Sequence, residues 1–289
     1  MRTVTQIIPS MATSDGAGVK LRRSLGSRQD ARLDPFLMLD EFYSDDPNDY
    51  LAGFPSHPHR GFETVTYMLD GHMRHEDHLG NRGDLKPGDV QWMTAGRGII
   101  HSEMPQQSAG RMRGFQLWIN LPASEKMKPA HYRDIPAREI PALALPSGAR
   151  IKVIAGSVQL DGQTATGPIN GPAAVLSTNP LYLDCLLPAQ TVVDIPVSDG
   201  HNAFAYLYEG QAQIGPAGHA RQLSSGSAAV LSAGSGSVHI QAGANGARLL
   251  LLAAKPLNEP VVQYGPFVMN THQEIEQAVQ DFRSGRFAA

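Results

Sequence analysis

Two histidines one residue apart, His57 and His59, stand in "FPSHPHRGFETVTYMLDG" (54–71), directly ahead of an alternating apolar run. Residues i and i+2 of an extended chain point to one face, so the pair aims two imidazoles into one space. Pro58 between them favours extended backbone at His57 and removes a backbone donor, as suits a strand start or edge. Further on, "GIIHSEMP" (98–105) repeats the device with other chemistry: Ile99, His101 and Glu103 share one face, Ile100 and Ser102 the other. If a barrel brings the two segments together, three neutral imidazoles and one carboxylate meet. That nitrogen-rich set suits one divalent first-row metal, iron foremost, with zinc, manganese, nickel, cobalt or copper as alternatives. Four protein ligands leave an octahedral ion two positions, enough for an oxygen-chelating substrate or for substrate and dioxygen. A structural zinc site would be closed and usually built with cysteine, and Cys185 is the only cysteine in the chain.

The surrounding pattern is that of strands. "TVTYML" (64–69) places Val65, Tyr67 and Leu69 on one side and ends at Asp70-Gly71, a hairpin signal. "GFQLWINLP" (114–122) alternates Phe115, Leu117, Ile119 and Leu121 against Gln116, Trp118 and Asn120. The second half echoes the first. "FAYLYEGQAQI" (204–214) matches "TVTYMLDGHMRH" (64–75), and "GSAAVLSAGSGSVHIQ" (226–241) matches "GDVQWMTAGRGIIHSE" (88–103). Two copies of one β-barrel unit account for this better than a single large sheet. The Pro- and Ala-rich stretch 136–150 reads as the connection, giving an N-terminal domain over 1–140 and a C-terminal one over 141–289. The chain closes with "NTHQEIEQAVQDFRSGRF" (270–287), where Thr271 and Glu274 have capping-box spacing. Ile275, Ala278, Val279 and Phe282 then form one apolar stripe, and Gly285 ends the amphipathic helix.

Composition narrows the function classes. The 289 residues are 42% hydrophobic and 18% charged, a globular rather than a disordered balance. A net charge of −3 gives no argument for nucleic acid, and Lys20, Arg22, Arg23, Arg28 and Arg32 read as a solvated face diluted by acids. The opening residues lack a long apolar run, so no membrane span is expected and the cytoplasm is the default compartment. His72, His75 and His78 read as exposed positions on the return strand of a hairpin, with His78 at the pocket rim. Phe54, Trp92 and Met104 either line the pocket mouth or fill core, and core is the preferred reading.

The chain resembles the pirin family of the cupin superfamily. "FPSHPHRGFETVTYMLDG", "GDLKPGDVQWMTAGRGIIHSE", "QLWINLP", "EPVVQYGPFVMNT" and "IEQAVQDFRSGRF" all read as pirin motifs and cover most of its length. The resemblance implies an all-β bicupin of two jelly-roll barrels, with one mononuclear metal, usually iron, in the N-terminal barrel. Carried over by motif position, the metal ligands are His57, His59, His101 and Glu103. Glu63 competes, being in phase with His57 and His59; it is a ligand, a partner orienting a histidine, or a carboxylate paired with Arg60 or another cation. Aligning the halves puts Pro196 and Ser198 at the positions of His57 and His59, and His239 and Gln241 near His101 and Glu103. The second site is therefore expected to be degenerate. The activity implied is quercetin 2,3-dioxygenase-type cleavage of a flavonol with dioxygen, Glu103 acting as catalytic base. The alternative is a metal- or redox-dependent regulator acting through a protein partner, and another metal-cupin reaction such as isomerisation would keep the same ligands.

Overall fold

The computed structural model describes residues 1–171 and 175–287. The chain is mostly strand and forms two compact units. One comprises 12–23, 36–137 and the segment from Leu257 on; the other comprises 1–11, 24–35 and 138–256. Neither is contiguous in sequence. The opening strand β1 (Val4–Pro9) pairs antiparallel with Ser227–Leu231 and so belongs to the second unit. The C-terminal segment, expected with the second half, groups with the first.

The first unit is built from β2 (Met11–Asp15), β3 (Val19–Arg23), β4 (Phe36–Ser44), β5 (Phe54–His59), β6 (Phe62–Asp70) and β7 (Met73–Asp77). It continues through β8 (Arg82–Leu85), β9 (Val90–Thr94), β10 (Ile99–Pro105), β11 (Met112–Asn120) and β12 (His131–Ile135). A seven-stranded sheet runs β12-β9-β6-β11-β4-β3-β2, and a four-stranded sheet runs β5-β10-β7-β8. Apolar side chains from both, among them Leu21, Phe42, Met68, Met73 and Leu85, form one core cluster between them. β6 and β11 lie inside the larger sheet and bury nearly every residue, on both faces.

Two expectations change here. Asp70-Gly71 does turn the chain, with Gly71 at φ +93°, but not as a hairpin. Both edges of β6 are taken, by β9 and β11, so β7 crosses to the facing sheet and pairs with β8 and β10. The stretch 136–150 is no loose connection: Ala142–Ala144 pairs with Arg150–Ala155, and Leu143, Leu145 and Ala149 enter the core of the second unit. The helix α1 (His272–Arg283) forms as expected, its capping box made by Thr271 and Glu274. Its Ile275 and Ala278 pack with Phe267, Met269 and Phe287.

In the second unit a nine-stranded antiparallel sheet surrounds a continuous aliphatic core that contains Cys185. No helix among the described residues is long and apolar enough to cross a membrane.

Candidate metal centre

The pairing of β5 with β10 sets His101 directly opposite His57 and Ile99 opposite His59. Cross-strand partners share a face, so the i/i+2 histidines of one strand and the single histidine of the other converge. One ligating nitrogen from each of His57, His59 and His101 lies within 4.8 Å of the other two. Their ring centroids are 4.4 to 4.9 Å apart. His59 and His101 are buried and His57 half-buried. His59 is held edge-on against Phe62 and Trp118.

The hydrogen bonds select tautomers. His57 Nδ1 sits 2.8 Å from the Pro55 carbonyl, which can only accept; the proton is therefore on Nδ1 and the lone pair on Nε2. That Nε2 faces His59 Nε2 at 2.9 Å. His101 Nε2 is buried with no hydrogen-bond partner among the described residues. Burial, reinforced by the neighbouring imidazoles, holds His59 and His101 well below the usual histidine range, so both are neutral. Neutral imidazoles crowded together, with a buried nitrogen lacking any partner, are what a divalent cation satisfies. The residues fit a metal.

Glu103 follows after a register shift between His101 and Glu103 that places it opposite Phe54. It is buried on the same face as His101, as alternation required. It does not belong to the three-histidine cluster. Thr66 Oγ1 lies 2.9 Å from its Oε1, and Gln116 Nε2 donates to its Oε2 at 3.3 Å. His57, His59, Glu103, Thr66, Gln116 and Trp118 line a cavity of about 580 Å³, within the size range of small-molecule sites.

Glu63 takes a structural place. Being on β6, it lies in a different sheet from His57 and His59. Its carboxylate accepts from Thr94 Oγ1 at 2.6 Å and Trp92 Nε1 at 3.1 Å, with Lys128 Nζ 3.9 Å away. Arg60, the cation proposed for it, instead pairs with Asp281 at 2.8 Å. Trp92 is core; Phe54 lines the cavity.

His75 was missed. Expected to be exposed, it is completely buried, its Nδ1 3.1 Å from His101 Nδ1 and its ring beside Tyr132. For His101 to present its Nε2 lone pair, its Nδ1 must donate to His75, whose own proton then sits on Nε2. The signal lay in the burial alternation of β7, where Met73 and His75 share the inward face; the hairpin reading concealed it. Arg23 likewise leaves the solvated face for the cavity wall. In the second unit His239 pairs with Asp194 at 2.8 Å, while Pro196 and Ser198 line a separate cavity with the buried His201.

A family model described as Pirin matches residues 18–119, and one described as the pirin C-terminal cupin domain matches residues 182–288. The architecture is thus that of a bicupin. A Pseudomonas aeruginosa protein that carries the name quercetin 2,3-dioxygenase provisionally is 52% identical, covering 99% of this chain and 98% of its own. A pirin-like protein of Caulobacter vibrioides is 47% identical over 99% of both. A crystal structure of quercetin 2,3-dioxygenase from Acinetobacter baumannii superposes with a TM-score of 0.88 at 33% identity, covering 100% of this chain and 99% of that one.

Proposed function

The chain belongs to the pirin family, and on that premise we propose that it is a metal-dependent dioxygenase cleaving a flavonol such as quercetin with dioxygen, releasing carbon monoxide. The observation that carries this is the convergence of His57, His59 and His101 beside a largely apolar cavity that also holds a buried carboxylate. The relatives bearing the quercetin 2,3-dioxygenase name support it.

In this reading His57, His59 and His101 hold one divalent ion, iron foremost, with Glu103 as fourth ligand. When bound, the ion supplies Lewis acidity and redox chemistry. The rest falls to the side chains. Apolar walls, with Trp118 and Phe54 among them, exclude water and seat flat rings. Glu103 accepts the proton of the substrate's 3-hydroxyl. Thr66 has a single hydroxyl proton and two acceptors within reach, Glu103 Oε1 at 2.9 Å and Gln116 Oε1 at 2.6 Å. When that proton goes to Gln116, Glu103 is left with free acceptor capacity, and Gln116 Nε2 still orients it. A base must lie within hydrogen-bond reach of the proton it takes, and Thr66 and Gln116 fix where that reach falls.

Oxygen uptake and carbon monoxide release, measured together on iron-loaded protein with quercetin, test the activity. Glu103→Gln is expected to retain part of the metal and lose turnover. Equal turnover in variant and parent refutes the base assignment. Absence of turnover with iron, manganese, nickel, cobalt and copper alike would favour the regulatory alternative.

A further inference from the structure

One row of side chains crosses the cavity floor from strand to strand. Thr66 on β6 is the direct partner of Gln116 on β11, Gln116 of Asp40 on β4, and Asp40 of Arg23 on β3. All four line the cavity, as do Glu103 and Asp15. Three inter-strand steps of about 4.8 Å each make this track about 14 Å long. Glu103 stands at one end, bonded by Thr66 and Gln116. The other end is an ion network. Arg23 Nε and Nη2 clasp the buried Asp40 carboxylate at 2.8 and 2.7 Å, and Nη2 reaches Asp15 Oδ2 at 3.0 Å.

We propose, resting on the flavonol reading, that the substrate lies lengthwise along this track and that Arg23 and Asp15 recognise hydroxyl groups on the ring farthest from the three imidazoles. The two-pronged clasp by Asp40 fixes the plane of the guanidinium. Its Nη1 makes no hydrogen bond among the described residues. A donor is thus presented in a fixed direction beside a half-exposed carboxylate. Arg23 with Asp40 and Asp15 sums to one positive and two negative charges, a balance that disfavours a sulfate or carboxylate. A neutral phenolic hydroxyl suits it, since it accepts from Nη1 and donates to Asp15. Leu21, Phe42 and Phe54 supply the apolar contact for the rings between the two polar ends. The chemical class selected is a flavonol bearing hydroxyls on its pendant ring.

Calorimetry on the full-length, iron-loaded chain under nitrogen separates recognition from turnover. The probes are quercetin and galangin, which lacks both pendant-ring hydroxyls. The parent is expected to bind quercetin about tenfold or more tighter, the worth of a hydrogen bond to a charged group. Arg23→Met and Asp15→Ala should each bring quercetin to the galangin level and leave galangin affinity within about twofold. Should Arg23→Met unfold by stranding Asp40, the half-exposed Asp15→Ala carries the test alone. Equal affinities in the parent, binding of neither flavonol, or a preference that survives Asp15→Ala overturns the proposal. A parent that shows the preference yet releases no carbon monoxide refutes the dioxygenase reading and leaves this one standing.

Discussion

The chemistry of single side chains here depends on which nitrogen or oxygen is left over once its neighbours are satisfied. His57 spends Nδ1 on the Pro55 carbonyl and so keeps Nε2 for a ligand; His101 keeps its Nε2 as well when its Nδ1 donates to His75. In the proposed metal site that makes His75 a positioning residue. His75→Phe is expected to lower metal affinity about 10- to 100-fold, as loss of an orienting partner does, and His75→Asn, which keeps an acceptor, to recover part of it. Metal titration of the purified variants reads this directly, with the unfolding midpoint of the metal-free protein as control for packing. If the proposed site is right, His59→Ala removes a ligand outright and should abolish retention of metal through gel filtration, as measured by elemental analysis. Glu63 illustrates the opposite case: the same residue type, fully committed to Thr94 and Trp92, is a strut inside the sheet. Strand phase alone could not separate Glu63 from Glu103, because phase does not say which sheet a strand joins.

At the scale of elements, the C-terminal segment is bolted to the histidine-bearing strands by buried polar contacts. Arg60, next to His59, donates to Asp281 of α1 and to the Phe287 carbonyl, and stacks over the Phe287 ring at 4.4 Å. Gly61 adopts φ +89°, and a β-carbon there would strike the Val268 carbonyl oxygen. Gly61→Ala is therefore expected to destabilise this unit through backbone strain and collision, by about 1–3 kcal/mol in denaturant unfolding. Lys126, also buried, donates to the Gly61 and Val268 carbonyls and to Asn120. Burial without a contacting carboxylate brings its pKa down from 10.5 to about 8. Between these values the unfolded chain holds a proton that the folded one has released, so stability rises with pH through that window. Relative to Lys126→Met, the parent should gain up to about 3 kcal/mol between pH 8 and 10.5, measured by urea unfolding. A flat difference would show that the carbonyls keep the ammonium charged. The helix itself was legible because capping box and apolar stripe are local signals. Its placement was not, since Arg60 and Asp281 are distant in sequence.

For the whole molecule, the two units carry separate reporters. Both tryptophans, Trp92 and Trp118, lie in the unit with the histidine cluster, and Cys185 is fully buried in the core of the other. Burial pushes the Cys185 thiol well up, so it should stay silent to thiol reagents until its unit opens. Added metal is expected to raise the tryptophan unfolding transition by about 2.7 kcal/mol at a hundredfold excess over Kd. The thiol transition should move less; equal movement would mean that the two units unfold as one. The period-2 alternation, the repeat between halves, the two HxH- and HxE-type pairs and the helix caps were all readable in the chain, because each is a relation among near neighbours along the backbone. Tertiary structure alone decided that β7 crosses to the facing sheet and buries His75, that Arg23 turns into the cavity, and that β1 and α1 each join the unit remote from them in sequence. Those outcomes depend on which strand edges are already occupied, and edge occupancy is a property of the assembled sheets.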